Sequence, residues 1–276
     1  MGLFGNSYSK PGKGISKEEA AKRNFFDMAG RHVFDFIKLN LLFFACTFVL
    51  FAAAFLLAYP YFYNSELFGR FLNALLTQPN MVIPPLPFLP FMFMGPFIAG
   101  LTFVLRNWAR QEHAFLVSDF FEHTKKNWKQ GLVLSIINTV FLYAILNAAL
   151  FYVKTGISLM AVLILFIVTM ALWFITNFYT YTMMVTFKMS VMQIIKNSFL
   201  LVLAKLPQNL FFFVIIMAVH ILLLYYLFPL WFILMAVILI ALTGFTMNYY
   251  SWHIIEKYMM PKDSGEQEKA VFMDVK

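Results

Sequence analysis

Long stretches of this chain carry no charge, and most of the charges it has are gathered in the short segments between them. Between Glu122 and Glu256 there is no aspartate or glutamate. The cations in that interval sit at the edges of apolar runs, as with Lys129, Lys154, Lys188 and Lys205. An uncharged run of ~20 residues, rising ~1.5 Å per residue, matches the ~30 Å hydrocarbon core of a bilayer. Only 12% of residues are charged, where a soluble domain carries about a quarter. The pattern predicts an all-α, polytopic integral membrane protein.

Six transmembrane helices are expected, at about residues 37–59, 81–105, 131–153, 158–187, 208–228 and 230–255. A polar N-terminal segment, 1–36, precedes them and a polar tail, 256–276, follows. In the first of these, Ser16 and Glu19 have capping-box spacing and open a short helix through Met28. Pro60 ends the first span, Tyr59, Tyr61 and Tyr63 form an interfacial rim, and 64–80 is a loop. The second span begins with Pro84, Pro85, Pro87 and Pro90, then Gly95 and Pro96. Prolines lack the donor a helix needs, and unpaired carbonyls at membrane depth require protein or a wet cavity beside them. A broken outer half is therefore expected, with regular helix from about Phe91, a kink near Pro96 and the whole segment facing the bundle. Two elbows, 106–130 and 188–207, join spans on one side. In the second elbow Ser190, Gln193, Lys196 and Asn197 form a polar face opposite Met189, Met192, Ile195 and Phe199, which suits an interfacial helix.

Orientation follows from the cations. Of 21 lysines and arginines, seven lie before or at Lys38, five in the first elbow, three in the second and four in the tail. Arg70 and Lys154 alone fall on the other side. That asymmetry predicts cytoplasmic termini and cytoplasmic elbows. Because these residues flank apolar spans, the partner they suit is an anionic lipid headgroup, not a nucleic acid. Arg106, Arg110, Lys125, Lys126, Lys129, Lys188, Lys196 and Lys205 are the contact candidates. The single cysteine, Cys46, lies inside the first run and allows no internal disulfide.

Ion-coupled transporters usually keep a carboxylate inside the bundle, and none is available in spans three to six. His220 is the one ionisable residue deep within a span. Asn147, Thr176, Thr180, Thr243 and Thr246 add polar groups that either glue helices together or line a path for an uncharged solute. A candidate pathway consists of Pro90, Gly95, Pro96, Asn138, Asn177, Tyr181, His220 and Asn248. Asp119 and His123 share a helix face but match no zinc spacing, and no phosphate loop or nucleophile elbow is present. No metal, no cofactor and no enzymatic activity are expected. Asn40 and Asn209 occupy matching places in a faint internal echo, 38–44 against 207–213, which so apolar a sequence also yields by chance.

The run Gly95-Pro-Phe-Ile-Ala-Gly-Leu-Thr-Phe-Val-Leu-Arg106, with Ser118-Asp-Phe-Phe121 and Lys125-Lys-Asn-Trp-Lys-Gln-Gly131, resembles the YesL-like family of bacterial integral membrane proteins of unknown function. Asn40-Leu-Leu-Phe43 is similar to that family's Asn-Leu-Leu-Trp, with Phe replacing Trp. The resemblance covers about residues 25–205. It implies a bacterial plasma-membrane protein associated with a carbohydrate-uptake system, and it supplies no catalytic residues. Two functions are expected on this basis: an accessory or regulatory component of carbohydrate uptake, or a small-solute transporter or substrate-binding subunit with its pathway at the broken second span.

Overall fold

A computed structural model describes residues 24–78 and 80–260, and among these there is no strand. The helix containing Met28, α1 (Phe25–Arg31), starts at Asn24, whose extended backbone and side chain form a capping box with Asp27. The Ser16–Glu19 box lies outside the described residues, as do the last sixteen residues of the tail. The remaining helices are α2 (Val33–Ala58), α3 (Ser65–Thr77), α4 (Gly95–Ala109), α5 (Leu116–Lys126), α6 (Trp128–Lys154), α7 (Leu159–Thr186), α8 (Val191–Ala204), α9 (Leu206–Tyr226), α10 (Phe228–Leu234) and α11 (Ile240–Met259). A π segment, Met235–Leu239, joins the last two into one rod. Five elements are long and apolar enough to cross a bilayer: α2 with its 3₁₀ extension, α6, α7, α9 and the α10–α11 rod. Counted as one broken span, the bent pair Leu86–Phe93 with Gly95–Ala109 brings the number to six. The chain is a multi-pass membrane protein.

Several boundaries differ from expectation for local reasons. The 64–80 loop contains α3, capped by the Asn64 side chain on the amides of Glu66 and Leu67. Its apolar residues Leu67, Phe68, Phe71, Leu72, Leu75 and Leu76 recur at helical spacing. Pro229 is not the turn between the last two spans. The chain turns at Leu227, and Pro229 sits in the first turn of α10, where its missing N–H has no intrahelical partner to lose. On α8 the inward side runs through Ile194, Ser198, Leu201 and Val202, while Met192 and Phe199 are exposed. The second half of that helix is apolar all round, so packing on α7 chose its face.

The second crossing is the unusual one. Residues 81–85 are not helical, Leu86–Phe93 is a 3₁₀ helix containing Pro90, and the axis bends by 42° before α4 begins. The kink expected near Pro96 lies at Met94, regular helix starts at Gly95 and not at Phe91, and Pro96 occupies the first turn of α4. Side chains of α6 complete this backbone. Lys154 Nζ donates to Met81 O at 2.5 Å, Asn147 Oδ1 accepts from Ile83 N at 2.8 Å and Tyr143 O–H donates to Ile83 O at 3.0 Å. Ser135 Oγ donates to Met92 O. The 3₁₀ helix rises ~2 Å per residue against ~1.5 Å in an α-helix, so Leu86–Phe93 covers more depth than the same number of α-helical residues would.

That economy leaves α4 short, central and mostly buried, from Gly95 and Ala99 through Trp108 and Ala109. It packs against α2, α5, α6, α7 and α11. Close approach depends on glycine on three sides. A Cβ on Gly95 would land on the Gly131 carbonyl of α6, one on Gly100 on Phe120 O and Thr124 Oγ1 of α5, and one on Gly244 of α11 within 2.7 Å of Leu105 Cδ1. Two apolar clusters meet around α4 and α11, one including Phe36, Leu39, Trp108, Phe120 and Phe245, the other Ile175, Tyr179, Ile194 and Trp252.

The internal echo has a structural counterpart. Asn40 and Asn209 are both fully buried. The Asn40 amide donates to Met235 O and Ala236 O at 2.9 and 2.7 Å, and its oxygen accepts from Ala241 N at 2.8 Å, which serves the backbone freed by the π segment. Asn209 donates to Leu201 O and Val202 O and accepts from the Tyr179 and Tyr250 hydroxyls.

Overpacking a tight crossing costs about 1–3 kcal/mol. Gly95→Val is expected to lower the thermal midpoint of the detergent-solubilised protein by several degrees. Gly30→Val, where a Cβ meets nothing within 4 Å, serves as the control and is expected to shift it far less; equal shifts would disprove the role given to the α4–α6 contact.

Candidate functional site

Where the 3₁₀ helix and α4 give way to the outer helices, the bundle forms an open-sided chamber of about 740 Å³. α4 closes one end with Ile98, Leu101, Thr102 and Leu105, and the wall continues through α2, α6, α7, α9 and the α10–α11 rod. Most of the lining is apolar or aromatic, including Phe43, Phe51, Phe91 and Phe174. No aspartate, glutamate, lysine or arginine lines it.

Asn138, Asn177, Tyr181, His220 and Asn248 of the expected pathway all reach this wall. Pro90, Gly95 and Pro96 do not line it. They act through the backbone, bending the second crossing so that Phe91, Met94 and Ile98 face the chamber. Of the other polar candidates, Thr176, Thr180 and Thr246 bond to carbonyls of their own helix, and Asn147 serves Ile83. Thr243 does line it. Sequence reasoning missed Trp173 and Trp231. Trp173 carried a legible signal, since it lies in the middle of α7 and not in an interfacial belt where tryptophan is at home.

Most polar groups of the wall are already paired. Asn138 Nδ2 donates to Asn177 Oδ1 at 2.9 Å, and Trp173 Nε1 donates to Asn138 Oδ1 at 3.1 Å. Thr182 Oγ1 donates to Asn248 Oδ1 at 2.9 Å, and Asn248 Nδ2 to Gly244 O at 2.8 Å. His220 Nε2 lies 3.2 Å from Thr243 Oγ1. Among the described residues two buried side-chain atoms have no hydrogen-bond partner, His220 Nδ1 and Trp231 Nε1, and both belong to residues of this wall.

Residues 36–149 match the model of a family described as a protein of unknown function, DUF624. No curated protein and no solved structure matches the chain. The DUF624 match runs from α2 to within a few residues of the end of α6, so it takes in the broken crossing, α4, α5 and three of the four side chains that complete the crossing, Ser135, Tyr143 and Asn147, but not Lys154. The helices α7 to α11, which carry His220, Trp231 and Asn248, lie outside it.

The basic candidates divide into two groups. Arg106 is buried, and its Nη1 donates to Val185 O at 2.7 Å and Thr186 Oγ1 at 3.1 Å while Nη2 donates to Asn107 Oδ1 at 2.7 Å. It caps the negative end of α7 and is not available to lipid. Arg110 pairs with Glu112 at 2.7 Å and lies over the Trp252 ring at 4.2 Å. Lys205 lies half-buried over Tyr258. Lys125, Lys126, Lys129, Lys188 and Lys196 are exposed. Helix α5 presents three sides: Phe120 and His123 packed inward, Val117, Phe121 and Lys125 exposed along one stripe, and Ser118, Glu122 and Lys126 exposed along the next.

Asp119 and His123 do separate work. Asp119 Oδ2 accepts from the Phe115 amide at 2.8 Å at the start of α5. The His123 ring stacks on Phe103, with centroids 3.2 Å apart. Burial, and then the charges of Lys126 and Arg106, hold the His123 imidazole down to about 4 from its ordinary 6.5. Above about pH 6.5 the ring is neutral in the folded and unfolded chain alike. Between about 6.5 and 4 the unfolded chain takes up a proton that the fold refuses, so stability is lost as pH falls through that window. His123→Phe, which keeps an aromatic partner for Phe103, is expected to flatten the decline in thermal midpoint between pH 6.5 and 4. A decline as steep as that of the parent protein would overturn the assignment.

Proposed function

We propose that the protein binds a small, uncharged and largely apolar molecule within the membrane, as a substrate-binding or transport component. The chamber carries this reading. Its volume falls within the roughly 300–1,000 Å³ of small-molecule sites, and its apolar wall with a few polar groups is the make-up such sites have. A charged ligand would be desolvated there without a counter-ion. A free sugar suits it poorly, because most wall amides and hydroxyls are spent on one another and leave few partners for many hydroxyls. The YesL-like resemblance adds an accessory role in carbohydrate uptake, and in that role the bound molecule is not the sugar itself.

The chamber predicts that gently purified protein retains a neutral molecule detectable by native mass spectrometry. Leu142→Trp, which fills the wall at α6, is expected to strip it. Equal retention by the folded variant would overturn this reading.

The second part of the proposal concerns orientation. The YesL-like resemblance supports a bacterial plasma membrane, and the cation asymmetry supports both termini and the α4–α5 and α7–α8 corners in the cytoplasm. The stripe of Val117 and Phe121 beside Lys125, continued by the exposed Trp128 and Lys129, suits a corner resting on an anionic leaflet. Each basic group near such a surface contributes ~1 kcal/mol. Replacing Lys125, Lys126 and Lys129 together by Gln is expected to lower the preference for phosphatidylglycerol over phosphatidylcholine at least tenfold, read from lipid retention. An unchanged preference would remove lipid contact from the proposal.

A further inference from the structure

We propose that α3 is an in-plane membrane helix, lying along the leaflet opposite the basic corners with Phe68, Leu72 and Leu76 set among the acyl chains just below the headgroups.

Both ends of α3 are tied to one surface of the membrane. The first crossing ends at Tyr61 and α3 starts at Ser65. It ends at Thr77, and the chain turns back at Met81, whose carbonyl takes Lys154, the last residue of α6. Stood on end, its 13 residues would carry Thr77 ~20 Å away from that level. Four Cα steps back to Met81 reach at most ~14 Å, so the helix lies down. It packs against Tyr59–Tyr61 and α6, with the Phe71 and Tyr61 ring centroids 5.2 Å apart.

Around its axis α3 has three sectors. Phe71, Ala74 and Leu75 are half-buried and turn toward the bundle. Phe68, Leu72 and Leu76, spaced at i, i+4 and i+8, form the next sector and are 41%, 41% and 48% exposed. Glu66, Arg70, Asn73 and Thr77 make the third, and all four are exposed. Leu67, in the first turn, is the one large apolar side chain of α3 exposed outside the stripe.

A helix at an interface has water on one side and hydrocarbon on the other. Rolling the polar sector inward would desolvate the Glu66–Arg70 pair and leave three large apolar side chains in water, whereas the opposite roll places both sectors in the medium that suits them. The residues leading into α3 fit that depth. Tyr59, Phe62 and Tyr63 are exposed at the end of a crossing, where aromatic rings collect in a bilayer. Lipid already borders this region, since α2 just before it is exposed through Phe48, Phe55 and Leu56. A second copy of the chain would have to displace that lipid to reach the stripe. Glu66 and Arg70 pair at 2.6 Å, and α3 carries no other charge. The contact therefore takes zwitterionic and anionic lipids alike, unlike the lysine-bearing corners.

The test uses the whole protein with Cys46→Ser in phosphatidylcholine nanodiscs, spin-labelled in turn at Phe68→Cys, Leu72→Cys, Leu76→Cys, Asn73→Cys and Thr77→Cys. Collision of the label with oxygen, which partitions into hydrocarbon, and with a neutral nickel chelate, which stays in water, is read by EPR. The oxygen-to-nickel ratio is expected to be at least threefold higher at the three apolar positions than at Asn73 and Thr77, and to change less than twofold when phosphatidylglycerol is added. Equal ratios on the two sectors would put the stripe in water and overturn the proposal. Labels at the apolar positions that neither reagent reaches would show a protein surface covering the stripe, a second copy included, and would overturn it as well. A ratio that follows the content of anionic lipid would overturn the indifference to headgroup charge.

Discussion

Inside hydrocarbon a backbone amide or carbonyl must find its partner within the protein, and the fold is arranged around the one place where a helix does not supply it. The second crossing is built from proline-rich non-helical chain and 3₁₀ helix. Four side chains of α6, spaced along one side from Ser135 to Lys154, complete its exposed groups. Lys154 thereby has a structural use at the far end of its span, and Asn147 becomes a surrogate for a missing helical bond. The same solution recurs at the π segment, where Asn40 serves the carbonyls of Met235 and Ala236 and the amide of Ala241.

Because the 3₁₀ part of this crossing covers its depth in few residues, the helix that follows is free to sit across the basic end of the bundle. α4 becomes the hub there, approached by glycine contacts on three sides. Its Arg106 holds the end of α7, and its Trp108 stacks on His32 with centroids 4.7 Å apart. A buried cation is tolerated in this position because the Val185 carbonyl, the Thr186 hydroxyl and the Asn107 amide oxygen accept its hydrogen bonds, and the Phe103 face lies beneath it. The chamber is the counterpart of this arrangement: α4 fills the basic end, the thin 3₁₀ strand fills less of the other, and the space between them remains open.

Polar residues in the spans then fall into two kinds. Most hold helices together and are satisfied, as with Tyr179 and Tyr250 on Asn209 or Asn138 on Asn177. Among the described residues two buried atoms depart from this, His220 Nδ1 and Trp231 Nε1, which have no partner in a medium where an orphan polar group is costly.

The sequence by itself determined the class of fold, the five long apolar helices and the asymmetry of charge, because these follow from the length of apolar runs and from where cations are spared desolvation. It also marked the second crossing as broken and facing inward, since proline's missing donor is a local property. Five of the eight candidate pathway residues were legible as polar groups in apolar surroundings. Their pairing was not, because Asn138 and Asn177 are indistinguishable in sequence from His220 until the helices that face them are known. Nor did charge alone separate Arg106 and Arg110 from Lys125 and Lys126. Only the tertiary structure decided which cations are buried in helix ends, which glycines let backbones touch and where the wall encloses space, because each depends on contacts between residues dozens to hundreds of positions apart.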